Sequence, residues 1–236
     1  MKVMIYTPTY RLEPETVHAV LTQRTTIPHD WVVGRDNPYN TGDYHRDDLD
    51  NHLYAFQKGR RMCLDGGYDY LWTVESDMIP PPYALERLHA TDADIALGTW
   101  CTRRTETPVL NVMRHIDSIT GVGGSLTYFP EQLEVSCGKV IECAGAGLGC
   151  TLIKRRVLEA IEFRPHDSRY FHCDLSFSED CIKHGFIVKA DMALLCGHKR
   201  ADRQIIWPTS NGGSYLVLGQ ESPYHMPIRP GCSTWF

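Results

Sequence analysis

The sequence has no long hydrophobic run, no internal repeat and no low-complexity segment. A membrane-spanning helix needs about 18 or more apolar residues in a row, and no stretch of the chain supplies them. Met1-Lys2 leads directly into "VMIYTPTY", without the basic segment, apolar stretch and small-residue cleavage site of a secretory signal. We therefore expect a cytoplasmic protein with no membrane span.

No Cys-x-x-Cys pair occurs, although the 236 residues include nine cysteines. The odd number and the chain length argue against a disulfide scaffold. Five cysteines stand in apolar surroundings: Cys63, Cys101, Cys143, Cys150 and Cys181. These surroundings favour small buried hydrophobic side chains over zinc ligands.

An excess of positive charge is also missing, because the formal net charge is −5. The chain as a whole is therefore not attracted to nucleic acid or to an anionic membrane. Local attraction could still arise at three short basic clusters, at residues 103–104, 154–156 and 199–203. A hydrophobic content of 42% and a charged content of 22% are typical of a soluble globular protein.

Strand-like and helix-like patterns alternate along the chain, which predicts an α/β fold with a mostly parallel central sheet flanked by helices. Strands are predicted at residues 2–10, 30–36, 68–74, 93–100 and 186–195, and helices at 13–24, 47–65, 81–90 and 174–184. Residues 142–161 are predicted to form a glycine-rich turn, a short apolar strand and a helix. Ligands of such folds bind at the carboxyl ends of the strands. The last stretch, 204–236, is rich in Pro and Gly and is expected to be loop or lid.

The stretch "YDYLWTVESDMIPPPYALERL", at residues 68–88, carries the clearest chemical signal. An apolar strand ends in Glu75-Ser76-Asp77, and three prolines that should prevent further pairing follow closely. Alternate residues of a strand share a face, so Glu75 and Asp77 can point to one place. Two carboxylates suit Mg²⁺ or Mn²⁺, with phosphate oxygens completing the shell. The alternative is a solvated acid pair at the end of a strand.

This stretch resembles nucleotide-sugar-dependent glycosyltransferases of the GT-A fold, near glycosyltransferase family 2. In that family a D-x-D motif ends a strand and "PP-x-AL-x-x-L" follows; here the motif is Glu75-x-Asp77. The resemblance covers about residues 1–105 and 140–200. It implies a single Rossmann-like GT-A domain at 1–203, with a nucleotide-binding half at about 1–105 and an acceptor-binding half at about 106–203, before the segment 204–236.

The resemblance also implies an activity and its site residues. The expected enzyme is a metal-dependent glycosyltransferase of the hexosyltransferase type, which uses a UDP- or GDP-linked sugar and Mn²⁺ or Mg²⁺. Residues expected near the nucleotide are Thr7, Pro8, Thr9, Arg11, Asp36, Arg60 and Ser76. Expected metal ligands are Asp77, Glu75 and His198; a structural histidine is the alternative for the last. The turn expected to approach the sugar or acceptor carries Gly145, Ala146 and Gly147.

A second acidic motif can be aligned in two ways. Family members carry a Glu-Asp pair at the start of a helix, and the Asp is the catalytic base in inverting members. "SED" offers Glu179 and Asp180, whereas a gap-free alignment of "CDLSF" places Asp174 at the Asp position and Cys173 at the Glu position. We prefer Asp174 and keep Asp180 and Glu179 as catalytic candidates. Asp174 could alternatively serve as a helix N-cap.

The acceptor and the class of function stay open at this level. A saccharide, another small hydroxyl compound or a hydroxymethylated DNA base would each fit a glycosyltransferase. A nucleotidyltransferase of related topology would instead release pyrophosphate, and a catalytically silent sugar-binding protein would turn nothing over. Aromatic residues that could stack on an acceptor, or fill the core instead, are Trp100, Trp207, Tyr215, Tyr224 and Trp235.

Overall fold

The computed structural model describes residues 1–102, 110–115, 126–128, 138–145, 147–168, 170–200, 204–208 and 215–218. The described helices are α1 (Pro14–Leu21), α2 (Tyr44–Asp65), α3 (Ala84–Ala90), α4 (Arg155–Ala160) and α5 (Cys173–Lys183). One large sheet contains β1 (Val3–Pro8), β2 (His29–Gly34), β3 (Tyr70–Val74), β5 (Ile95–Thr99), β8 (Val140–Glu142), β9 (Cys150–Lys154) and β10 (Val188–Leu195). The remaining strands are β4 (Met78–Ile79), β6 (Met113–His115), β7 (Leu126–Tyr128), β11 (Gly197–Lys199), β12 (Ile205–Pro208) and β13 (Tyr215–Leu218).

The large sheet has the strand order β2-β1-β3-β9-β5-β10-β8. Strands β2, β1 and β3 pair in parallel, and so do β5 and β10. Strand β9 is antiparallel to both of its neighbours, and β8 is antiparallel to β10. Five of the seven strands therefore share one direction, which confirms the predicted α/β fold with a mostly parallel sheet. Every residue of β5 is buried, as expected for a strand covered on both faces.

Local sequence signals explain where the helices begin and end. Helix α1 starts at Pro14, whose fixed φ suits the first helical position. Helix α2 begins at Tyr44, three residues before its predicted start, because Asp43 caps it by accepting a hydrogen bond from the amide of Arg46 at 3.2 Å. The chain leaves α2 through Gly67, whose φ of +68° favours glycine.

Helix α5 differs from its prediction at the first turn. Its N-cap is His172, so Asp174 is the second helical residue and does not cap the helix. The predicted end is confirmed, because Gly185 follows with a φ of +70°. A carboxylate in the first turn remains favourably placed with respect to the helix dipole.

A second sheet with the order β13-β12-β11-β4 forms at the carboxyl edge of the large one. The expectation of irregular structure after residue 204 is therefore wrong for residues 205–208 and 215–218, which pair with each other. Residues 78 and 79 also pair with β11, and the three prolines follow directly after this short strand. Burial of Ile205 and Ile206 stabilises this small sheet, since neither side chain is more than 7% exposed.

The core lies between the large sheet and its helices, and Trp72, Tyr6 and Phe56 are among its largest fully buried side chains. Four of the five cysteines predicted to be hydrophobic are buried, and Cys143 is half-buried; all five are free thiols. Within the described residues no helix is both long enough and apolar enough to cross a membrane.

Candidate active site

The acidic turn at residues 75–77 lies at the carboxyl edge of the large sheet, directly after β3. The backbone carbonyl of Asp77 accepts a hydrogen bond from the amide of Lys199 at 2.8 Å. His198 in β11 pairs with Met78 in β4. Pairing between two distant parts of the chain thus brings His198 beside Asp77.

A hydrogen bond to the backbone orients the ring of His198. Its Nδ1 lies 2.7 Å from the carbonyl oxygen of Cys101, and because a carbonyl only accepts, Nδ1 is the donor. In the neutral ring Nε2 then presents its lone pair, 3.7 Å from Oδ1 of Asp77. The exposed fractions of the two side chains are only 9% and 16%. A ring nitrogen and a carboxylate oxygen therefore lie close together in a protected place.

This pair fits a divalent cation. Metal-ligating histidines commonly donate their other ring N–H to a carbonyl, as His198 does. Mn²⁺ accepts imidazole nitrogen beside carboxylate oxygen. Among the described residues, no group of three or more His, Cys, Asp or Glu side chains is placed to hold an ion. Phosphate oxygens and water would have to complete the shell around Asp77 and His198.

Glu75 faces a different partner. Its Oε1 lies 3.4 Å from Nε2 of His52, a residue of α2. Nδ1 of the same ring lies 3.4 Å from Sγ of Cys173, the first residue of α5. Glu75, His52 and Cys173 therefore connect the end of β3 with two helices. A role for Glu75 as a metal ligand stays a prediction.

The charge state of this group follows from burial and from its neighbours. Burial lowers the pKa of His52, but Cys173 and Glu75 outweigh it, and the pKa is raised well above the ordinary value. Burial raises the pKa of the Cys173 thiol despite the opposing influence of His52.

Asp174 touches the glycine turn that precedes β9. A Cβ added to Gly147 would lie 3.3 Å from Oδ2 of Asp174 and 2.6 Å from Nδ2 of Asn111. The amide of Gly147 also donates to Oδ1 of Asn111 at 3.3 Å. Only glycine fits this contact without displacing a neighbour. The structure thus brings together the preferred catalytic carboxylate and the turn predicted to face the acceptor.

The same glycine turn reaches α5 and the acidic turn. A Cβ on Gly145 would lie 2.2 Å from Oγ of Ser178, so the turn packs closely on α5. The amide of Glu75 donates to the carbonyl of Gly149 at 3.0 Å. Three predicted parts of the site are therefore contiguous. Ala146, which was predicted to lie in this turn, falls outside the described residues.

The alternative catalytic acids are held elsewhere on α5. Nε and Nη2 of Arg164 donate to the two carboxylate oxygens of Asp180 at 2.7 and 3.1 Å. The hydrogen bond from Arg164 holds the pKa of Asp180 below its ordinary value. Oε1 of Glu179 lies 3.4 Å from Nε2 of His166. No ion pair to Asp174 occurs within the described part of the chain, which distinguishes it from these two acids.

The predicted nucleotide loop begins where β1 ends, at Thr7 and Pro8. Oγ1 of Thr7 accepts a hydrogen bond from Nε1 of Trp31 at 3.0 Å. The amide of Thr9 donates to the carbonyl of Gly34 at 2.8 Å. The Oγ1 of Thr9 is buried and has no hydrogen-bond partner among the described residues. A buried hydroxyl in this state is suited to a partner from outside the chain.

Arg11 and Ser76 are both tied to the start of α1. Nε of the exposed Arg11 lies 2.9 Å from Oε1 of Glu13. The carbonyl of Ser76 accepts hydrogen bonds from Oγ1 of Thr16 at 2.8 Å and from the amide of Glu13 at 3.2 Å. The loop after β1 and the acidic turn are therefore held next to each other.

Asp36 and Arg60, also predicted near the nucleotide, have separate environments. Asp36 follows β2 and forms an ion pair with Lys58. Nε of Arg60 donates to the carbonyls of Leu158 and Ile161, at 2.7 and 3.0 Å. Arg60 thus fastens α2 to the end of α4, and the structure does not bring it together with the loop after β1.

No protein-family model and no curated protein sequence matches this chain. Its fold is similar to that in the crystal structure of A197 from STIV, with a TM-score of 0.56 at 16% identity, covering 98% of this chain and 100% of that one. The crystal structure of S. aureus TarS 1–349 in complex with UDP overlaps with a TM-score of 0.40 at 12% identity, covering 80% of this chain and 57% of that one. The likeness to A197 shows a shared fold and does not extend to activity.

The sequence patterns did not single out His52 or Lys199. His52 precedes the buried Phe56 by four residues, so both lie on the inward face of α2. This helical spacing is the sequence pattern that could have indicated His52. Lys199 was noted only as part of a basic cluster, yet it is 5% exposed. Its Nζ lies 2.8 Å from Glu13 and 2.6 Å from Glu15. This buried ion cluster fastens β11, and with it His198, to the start of α1.

Proposed function

We propose that the protein is a metal-dependent glycosyltransferase that moves a sugar from a UDP- or GDP-linked donor to a hydroxyl acceptor. The observation that carries the proposal is the pair of Asp77 and His198, with 3.7 Å between Oδ1 and Nε2. Both atoms are of the kind that Mn²⁺ accepts as ligands. The pair also lies at the carboxyl edge of a mostly parallel sheet, where ligands of α/β folds bind.

Separate residues would bind the metal ion and the nucleotide. Asp77 and His198 would hold Mn²⁺ or Mg²⁺, and the ion would neutralise charge on the departing nucleoside diphosphate. The loop after β1 would receive the nucleotide; in support, the hydroxyl of Thr9 is buried and has no hydrogen-bond partner in the described part of the chain. Asp36, at the end of the neighbouring strand β2, would hydrogen-bond the base.

We assign proton transfer to Asp174. It lies in the first turn of α5, at the carboxyl edge of the large sheet. Contact with Gly147 puts it against the turn expected to receive the acceptor. In an inverting reaction it would take the hydroxyl proton of the acceptor as the new bond forms. Asp180 is the weaker candidate because Arg164 occupies both of its oxygens.

Thermal unfolding with nucleotides tests the proposal directly. UDP, GDP, TDP and CMP, and sugars linked to each, would be added with Mn²⁺ and with EDTA. A ligand at 100 times its dissociation constant raises the free energy of unfolding by about 2.7 kcal/mol. We expect a stabilisation that needs Mn²⁺ and occurs with UDP or GDP. Absence of any metal-dependent stabilisation would contradict the proposal and favour a silent protein.

A matched pair of variants separates the metal site from general effects of charge. Asp77→Asn should remove the Mn²⁺-dependent stabilisation. Asp92→Asn should retain it, because Asp92 is 92% exposed and contacts Lys154 on another part of the surface.

The products distinguish the two transfer reactions. Release of nucleoside diphosphate indicates glycosyl transfer, and release of pyrophosphate indicates nucleotidyl transfer.

A further inference from the structure

Three aromatic side chains are exposed at the first turn of α2 and directly before α5. Tyr44 is 87% exposed, Tyr170 is 77% exposed and Phe171 is 51% exposed. We call these three residues the aromatic rim. Tyr170 and Phe171 are consecutive, and Tyr44 precedes His45, whose ring contacts that of Tyr170. Large exposed apolar groups in one region commonly mark an interaction site.

Contacts between the two segments hold the rim together. The rings of His45 and Tyr170 are perpendicular, with 6.2 Å between their centroids. One turn further along α2, Oδ2 of Asp48 lies 3.3 Å from Nε2 of His172. Helices α2 and α5 both begin at the carboxyl edge of the sheet, because each leads into a strand of the shared direction. The rim therefore lies at the edge that carries the candidate active site.

The rim is adjacent to the proposed catalytic carboxylate. Phe171 stands three residues before Asp174, and the helix starts between them. The contact between Cys173 and His52 fastens this helix start to α2. A molecule lying on the rim would thus have one end at the first turn of α5.

The exposed rings are supported without being covered. The ring of Phe171 is nearly perpendicular to that of His166, at 87° and 5.3 Å between centroids. Tyr170 has the corresponding perpendicular contact with His45. Rings steadied in this way lose little conformational freedom on binding, and they present apolar faces to a ligand.

The charge around the rim selects among ligands. Residues 43–50 contain four aspartates and one arginine, so this surface repels a polyanion. The side chain of Asp48 is 47% exposed and can accept hydrogen bonds from hydroxyl groups. Apolar ring faces beside carboxylates complement a neutral saccharide, which offers both C–H faces and hydroxyl donors.

We propose that the aromatic rim is the docking surface for a neutral saccharide acceptor. The inference rests on the proposed glycosyltransferase function and names the acceptor class for the same site. It disfavours a modified DNA base as acceptor.

The test measures saccharide binding and nucleotide binding separately on the full chain. Maltohexaose, cellohexaose, chitohexaose and a short DNA duplex would each be titrated by calorimetry in the presence of UDP and Mn²⁺. Tyr170→Ala, Phe171→Ala and Tyr44→Ala remove the rim at three independent positions. Tyr83→Ala is the matched control, because it removes a tyrosine that is 43% exposed directly before α3.

We expect one of the oligosaccharides to bind, and each rim variant to weaken its affinity roughly fivefold to tenfold. Tyr83→Ala should bind it like the unmodified protein, and the UDP-dependent stabilisation should be the same in all four variants. Absence of saccharide binding, unchanged affinity in the rim variants, or stronger binding of DNA would overturn the inference. With UDP binding intact, any of these results leaves the proposed function standing. If a saccharide binds in a rim-dependent way but no nucleotide binds, the proposed glycosyltransferase function is contradicted and the assignment of the rim is supported.

Discussion

Nδ1 of His52 lies 3.4 Å from Sγ of Cys173, although 121 positions separate the two residues in the sequence. On its other side the same imidazole reaches Glu75, with 3.4 Å between Nε2 and Oε1. The first acid of the Glu-x-Asp turn is thereby linked to the helix that carries Asp174. The two acids of this turn consequently have different surroundings, and their substitutions should have different effects.

Asp77→Asn should abolish Mn²⁺-dependent nucleotide binding, whereas Glu75→Gln should weaken it less. The reason is that Asp77 faces His198, while Glu75 faces His52. Calorimetric titration of each variant with UDP and Mn²⁺ measures the difference. Equal losses in the two variants would show that both acids contact the ion.

Asp174→Asn should remove turnover while nucleotide binding persists, because the substitution preserves shape and removes the proton acceptor. Asp180→Asn should keep turnover, since Asp180 is bound by Arg164. Release of nucleoside diphosphate, together with UDP titration, checks both variants. An active Asp174→Asn beside an inactive Asp180→Asn would move the catalytic role to Asp180.

Acid should destabilise the fold partly through Asp180. The hydrogen bond from Arg164, against the effect of burial, holds the pKa of Asp180 below its ordinary value. Such a carboxylate stabilises the folded state above its unfolded pKa of about 3.9 and loses this contribution as pH falls through the lower folded pKa. Below about pH 4 the unfolding free energy of the unmodified protein should therefore fall more steeply than that of Asp180→Asn. Urea unfolding at a series of pH values measures both curves, and parallel curves would refute the assignment.

Gly147→Ala should impair both stability and turnover. Its Cβ would meet Nδ2 of Asn111 at 2.6 Å, and overpacking of this kind costs about 1–3 kcal/mol. The displaced neighbours include Asp174, so turnover should fall more than UDP affinity.

Gly185→Ala provides the control for this substitution. Its φ of +70° makes alanine unfavourable by about 1–2 kcal/mol, yet apart from its two chain neighbours no described residue lies within 4 Å of the added Cβ. We expect a loss of stability with turnover retained. Urea unfolding and turnover assays of the two alanine variants make the comparison, and equal turnover in both would argue against a functional role for the turn at Gly147.

Much of the fold was predictable because its signals are local. Apolar runs of strand length end at Pro8 and before Glu75, and glycines at 67 and 185 end helices α2 and α5 in left-handed conformations. The buried cysteines were predictable from their apolar neighbours for the same reason. The N-cap of α5 was not, since Asp174 is a good capping residue by type and His172 takes the position in the structure.

Long-range pairing explains the remaining differences. Strand β9 lies between β3 and β5 and is antiparallel to both. The hydrophobic pattern of a strand does not determine which strands it pairs with or in which direction. Residues 205–208 look like irregular chain by composition, but β11 offers them an edge to pair with. Nor does any local pattern connect His52 with Cys173.

The sequence by itself determined the alternation of strands and helices, the acids that end β3, and the acidic surface at residues 43–50, because each depends on neighbours along the chain. Only the tertiary structure decided that Asp77 meets His198, that Asp174 meets Gly147, and that the aromatic rim forms at the same edge of the sheet. These contacts join segments far apart in sequence, and their geometry follows from how strands pair and helices pack.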